Sequence, residues 1–189
     1  AGKDISSKPD ALVTGNSSIY KSIECGIRIA RLLGENPTQW EESRDRIGIA
    51  IRNKPQLFDR TWPSKSRYSM DWFYPILCGV HEKQAAKSLL RAKWKTFVES
   101  EKGCRCVADE PWITAAETSE LTIALASLGL REDAVALLNK ILWHQDQDGG
   151  WWTGHVYLED IFWPPEKPTW TGAAVILAID AIEELTHGQ

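Results

Sequence analysis

A chain of 189 residues, 43% of them hydrophobic, is long enough for one domain with a real core. A net charge of −4 with no block of Lys or Arg argues against nucleic acid and anionic membranes as main partners. No apolar run reaches the roughly 20 residues of a membrane span. The start, Ala1-Gly2-Lys3-Asp4, is polar and lacks a signal peptide's apolar segment, although a cleaved one leaves no trace. The cysteines are Cys25, Cys78, Cys104 and Cys106. Cys104-x-Cys106 is too close for an easy mutual disulfide, and no matching Cys/His pair suggests zinc. Reduced cysteines, no metal, no cofactor and a cytoplasmic location are the expectation.

In chain order, residues 1–15 read as a leading tail. Asn16-Ser17-Ser18 offers N-caps for a first helix to about Leu33, with Ile19, Ile23, Ile27 and Ala30 at helical spacing and Gly34 as C-cap. Pro37 opens a second helix at its first position, where a missing N–H costs nothing. This helix runs to about Asn53 with a charged outer face. Residues 54–67 form a long link. A third helix begins near Ser69, with Pro75 bending or shortening it. A fourth spans about Glu82 to Ser100. The link from Gly103 to Ile113 has room for a short strand at Cys104–Val107. Helix five is expected over Thr114–Leu128 and helix six over Arg131 to about Gln145. The last link, Asp148 to Pro168, precedes helix seven, Trp170–Leu185. That helix is apolar almost all round and is expected to be buried on several sides.

The links alternate short and long, so the three long ones are expected on one rim of an up-down array. The odd helices are the more apolar and the even ones the more charged. The expected fold is all-α: antiparallel helical hairpins of an incomplete (α/α) toroid in one domain over 1–189. Seven of the ten tryptophans then gather at one mouth: Trp62, Trp72, Trp112, Trp151, Trp152, Trp163 and Trp170. Trp40, Trp94 and Trp143 fall on outer helices as packing residues.

The pattern Gln145-x3-Gly149-x-Trp151 resembles the QW repeat of squalene–hopene cyclases and their α/α-toroid relatives, in which such repeats mostly tie hairpins together. Longer segments resemble bacterial prenyltransferase-like or squalene-cyclase-repeat proteins. They are Leu12 to Tyr20, Arg67 to Pro75, Pro111 to Thr118, Asp148 to Gly154, Trp163-Pro164 and Thr169 to Ala174. The resemblance covers nearly the whole chain. It implies a terpenoid-cyclase-like or six-hairpin-glycosidase-like fold and a longer protein, of which this is the C-terminal half. Residues 1–33 are then expected to carry an apolar face that needs a partner, either the missing toroid half or a second copy. A monodisperse monomer without an exposed apolar patch would sink that idea.

Three functions stay open. A pair of carboxylates facing a Trp-lined cleft is what glycoside hydrolysis needs. Asp71 and Glu117 are the candidate catalytic pair, each in the first turn of an inner helix. Arg67, Tyr68, Trp72, Arg105, Trp112, Glu120, Trp151, Trp152, His155, Trp163 and Trp170 are candidate substrate-binding residues. Structural readings stand beside these. Thr114-x-x-Glu117 is a capping box, and acids in a first turn suit the helix dipole. Glu120 is a buried, hydrogen-bonded acid or a second catalytic group. Glu159, Asp160 and Glu166 read as solvated loop acids, and His155 as loop packing. The second function is prenyltransferase- or cyclase-like. DxDD, DDxxD and an Asp/Cys/His zinc set are absent here, while cation–π contacts at an aromatic mouth keep it in view. The third is a non-catalytic binding module. The substrate is accordingly a small molecule, an oligosaccharide or an isoprenoid.

Overall fold

The computed structural model describes residues 10–186. Residues 1–9 of the expected tail lie outside them. The chain divides into two compact units, Ala1–Lys65 and Ser66–Gln189.

In the first unit, α1 (Val13–Leu32) packs on α2 (Thr38–Asn53). The buried stripe of α1 is Ser17, Tyr20, Ile27 and Ala30, while Ile19, Ile29, Leu32 and Leu33 are exposed. Asn16, Ser17 and Ser18 do not cap the helix. Their side chains bond back to the carbonyls of Leu12, Val13 and Thr14, four residues earlier, so they sit inside it. Gly34 takes φ +76°, the left-handed turn that closes α1.

The second unit is built on α5 (Ala115–Ser127), which packs on α3 (Ser69–Leu77), α6 (Arg131–Asn139) and α7 (Thr169–Glu183). Ala115, Ala116, Ala124 and Ala178 are buried along these seams, and small side chains let helix axes approach. α4 (Lys83–Phe97) covers α3, where Trp72 stacks on Phe97 with ring centroids 5.2 Å apart. Phe73, Phe97, Leu121, Leu137, Ile141 and Val175 complete the core.

The expected all-α fold is corrected here. Among the described residues seven α-helices stand beside two small antiparallel sheets. One pairs β1 (Val98–Glu99) with β2 (Gly103–Cys104). The other has the order β3 (Trp112–Thr114), β4 (Gly154–Val156), β5 (Ile161–Phe162). Single bridges, Tyr68 to Val107 and Arg105 to Ile113, extend this layer to the residues just before α3. The mixed helix-and-strand architecture thus replaces a pure helical toroid. β1 takes the end of the expected fourth helix and the other strands lie in or at the edge of the links, in runs of two or three residues, too short to register against helical periodicity.

The layer has two faces, because successive strand residues point oppositely. Ile113, His155 and Phe162 are partners across the three strands, and Ile113 and His155 are buried. Trp112, Val156 and Ile161 form the next row, on the other face. Gly154 makes the pairing possible. A Cβ there would lie 2.6 Å from the Ile113 carbonyl oxygen and 2.5 Å from the Trp112 indole nitrogen.

Two other expectations change. Helix six ends at Asn139, and a 3-10 turn, Leu142–His144, follows it. α7 is not buried on several sides: Ile176 is 67% exposed and Leu177 58%. One side of α7 meets α5 and α6, and Ile176, Leu177 and Ile179 are exposed on the helix.

His144 is fully buried among Trp143, His155 and Phe162, and neither ring nitrogen has a hydrogen-bond partner. Burial, with His155 adding to it, brings its pKa down to about 4.

Gly154→Ala is expected to destabilise the protein by about 1–3 kcal/mol through this overpacking, measured by urea denaturation. The depressed His144 pKa gives a second expectation. The unfolded chain binds a proton below the ordinary histidine pKa of 6.5 and the folded chain does not until about 4. This contribution to stability is whole above 6.5 and is lost as pH falls from there to about 4. His144→Phe should flatten that slope in melting temperature against pH.

Candidate functional site

The strand layer covers the start of α3 and α5 and so positions the acids. The Ser69 N–H donates to the Cys106 carbonyl at 2.9 Å, and the Ala115 N–H to the Thr153 carbonyl at 3.0 Å. Both helices therefore begin against the layer. Asp71 lies in the first turn of α3 and Glu117 in that of α5. Tyr74 and Glu120 follow one turn deeper on their helices, and all four are half-buried. The Tyr74 hydroxyl donates to Glu120 Oε1 at 2.7 Å and ties the two helices together.

The capping box is not formed on its threonine side. Thr114 is the N-cap in extended conformation, but its hydroxyl makes no cap bond. Glu117 instead accepts the S–H of Cys106. That thiol is pushed up by burial first and then by the Glu117 charge. Cys104, buried beside it, is pushed up for the same reasons. Burial raises Glu120 to about 7; the Tyr74 bond opposes this and the charge of Glu117 adds to it. Tyr74 is pushed up by burial and by Glu120. The group is thus acidic and partly desolvated, with protons held on Tyr74, both thiols and, up to about pH 7, Glu120.

On the outer face of the layer lies an open cleft of about 500 Å³. Arg67, Tyr68, Trp112 and Trp163 line it, as do Val156 and Ile161 from the outer strand row. The two indoles meet edge to face, centroids 5.4 Å apart at 72°, and Trp112 Nε1 donates to the Trp163 carbonyl at 2.8 Å. Arg67 is held by Asp109 through bonds of 2.9 and 3.0 Å, with Glu110 at 3.9 Å. Glu110 and Glu159 also line the cleft. Asp71 and Glu117 are not in its lining; each follows a lining residue along the chain, Tyr68 and Trp112 respectively.

The other expected binding residues lie elsewhere. Trp72 is in the core, its Nε1 donating to the Leu89 carbonyl at 2.9 Å. Arg105 is ion-paired with Glu99 and lies over the Tyr157 ring. Trp151 packs against the core. Trp152 stacks on Phe162, with Lys167 over its ring. His155 is on the buried face of the layer, 3.1 Å from Asp160. Trp170 is exposed in the first turn of α7. Sequence reasoning missed Tyr74, although it lies at helical spacing from Asp71. It also missed Val156 and Ile161, whose signal was strand alternation. Glu159, read as a solvated loop acid, lines the cleft. Among the described residues no group of three or more His, Cys, Asp or Glu is arranged to hold a metal. Nor is any helix among them long and apolar enough to cross a membrane.

No family model matches the chain. Among curated proteins, it is similar to an MMP endo-(1,4)-3-O-methyl-alpha-D-mannosidase of Mycolicibacterium hassiacum, with 42% identity over 179 residues. The match takes in 95% of this chain and 49% of that protein, so the chain spans about half the length of its curated relative.

Proposed function

We propose that the chain is part of a glycoside hydrolase that cleaves α-linked mannosides, 3-O-methylated ones included. The similarity to an endo-acting mannosidase, running through nearly the whole chain, carries this reading. The site chemistry agrees with it. Hydrolysis of a glycosidic bond takes one carboxyl group to protonate the leaving oxygen and another to act as base or nucleophile. Asp71 and Glu117 supply a carboxylate each from neighbouring helix starts. Trp112, Trp163 and Tyr68 offer aromatic surface to the apolar faces of sugar rings, and Arg67 can donate to hydroxyls. The isoprenoid alternative finds less support. Arg67, the cation of the cleft lining, is already engaged by Asp109, and Glu110 and Glu159 would repel a diphosphate.

Asp71→Asn and Glu117→Gln are each expected to lower kcat on a 3-O-methylmannose oligosaccharide by about 100-fold or more while the melting curve is kept. Full activity in both variants, with loss in Glu110→Gln or Glu159→Gln, would move the chemistry into the cleft. Loss in Glu117→Gln alone would place its partner carboxylate elsewhere. Trp163→Ala is expected to weaken binding of the same oligosaccharide about tenfold, read by tryptophan fluorescence with an isoprenoid diphosphate as control.

A further inference from the structure

We propose that Val156 and Ile161, paired across the β4–β5 hairpin, are the specificity-determining residues of the cleft. They form an aliphatic wall that takes the O-methyl group of a mannoside ring lying on the adjacent indoles, and so set a preference for methylated over unmethylated chains. This deepens the hydrolase reading and rests on it.

The wall follows from strand register. Val156 is the partner of Ile161 on β5 and also the partner of Trp112 on β3. Partners across an antiparallel pair stand with Cβ atoms about 4.5–5.5 Å apart, so side chains in such a row touch. Trp112, Val156 and Ile161 therefore make one continuous strip of indole and branched aliphatic surface along the cleft. Ile161 is 45% exposed and Trp163, just after it, 52%, so apolar surface stands open where a ligand would lie. The turn that joins β4 to β5 is closed by the Glu159 N–H, which donates to the Val156 carbonyl at 3.2 Å. The same hairpin thus brings an acid and the aliphatic pair to one cleft.

The polar groups of the cleft leave the wall with one use. Trp112 Nε1 already donates to the Trp163 carbonyl, and Arg67 is turned to Asp109. Glu110 and Glu159 offer carboxylate oxygens, which accept from free sugar hydroxyls. A methyl ether has no O–H and cannot donate to them. A free hydroxyl set against Val156 and Ile161 loses its water partners and gains no other, which is costly. A methyl group set there gains apolar burial instead. Both effects act in one direction. The free hydroxyls of the ring face the acids, and the methylated oxygen faces the hairpin.

The test is the selectivity of the protein between a 3-O-methylmannose oligosaccharide and its unmethylated counterpart of equal length, read as the ratio of their kcat/KM values. The protein should prefer the methylated sugar by about tenfold or more. Val156→Thr and Ile161→Thr put a hydroxyl into the wall and keep a β-branched side chain suited to a strand. Each should cut the ratio about fivefold. A merely structural role of the hairpin would lower kcat/KM for both sugars alike and leave the ratio where it was. An unmoved ratio in both variants overturns the proposal, as does a protein that cleaves both sugars equally well; the hydrolase reading survives either result. If neither sugar is cleaved, that reading fails, and binding decides the wall. Tryptophan emission titrated with the same two sugars should then give a Kd about tenfold lower for the methylated one, with the preference reduced in Val156→Thr. Equal affinities, or binding of neither sugar, overturn the proposal.

Discussion

Much of the second unit depends on one close approach, that of the β4 backbone at Gly154 to the β3 backbone at Ile113. Only a residue without Cβ fits there. Once β3 and β4 pair, strand alternation decides the rest. One row, Ile113, His155 and Phe162, is turned towards the packed aromatic cluster around His144. The other, Trp112, Val156 and Ile161, is turned out to line the cleft. The same strands end where α5 begins, since Thr114 is both the last residue of β3 and the N-cap of α5. A cleft wall and a carboxylate-bearing first turn are thus set by one backbone contact.

The electrostatics of the acid group follow from which effect is largest. Three influences act on Glu120: burial, the Tyr74 hydrogen bond and the Glu117 charge. Burial is the largest and wins over the hydrogen bond, so the carboxyl stays protonated well above the usual glutamate range. The neighbouring thiols obey the same order, burial first and the Glu117 charge second. A desolvated acidic site therefore reduces its net charge by keeping protons. Arg67 and Arg105 are each paired with another acid, Asp109 and Glu99.

Helices were legible in the sequence because their signals span many residues. Apolar periodicity placed α3, α4, α5 and α7 to within a few residues, and Gly34 marked its helix end. Of the strands, only the one expected at Cys104–Val107 was legible, where β2 takes Gly103–Cys104. Each is two or three residues long, and its identity rests on a distant partner: Trp112 pairs with Val156 across the whole α5–α6 hairpin. The aromatic residues of the site were half legible. Chain position alone predicted that link tryptophans would gather, and Trp112 and Trp163 do so. Chain position carries no information about which side of a strand or helix a ring leaves from. Trp72 went into the core by helical phase, Trp151 went into packing against the core, and Trp152 stacked on Phe162. The acids were legible as first-turn residues; the Tyr74 bond that joins Glu120 to the neighbouring helix was not, because it depends on how α3 and α5 pack.

Cleft and acids contribute to different quantities under the hydrolase reading. Indole surface in the cleft contacts sugar rings that do not react, so it stabilises bound substrate and transition state alike. Such contacts lower KM without raising kcat. Asp71 and Glu117 act on charge that appears only as the glycosidic bond breaks, and interactions of that kind appear in kcat. The strand layer carries the first function on its outer face, and the helix starts beneath it carry the second. Because Trp112 and Glu117 are separated by a single strand end, a shift of β3 would disturb both at once. A kinetic signature in which KM and kcat worsen together therefore points to the layer, and one in which they separate points to a side chain on either side of it.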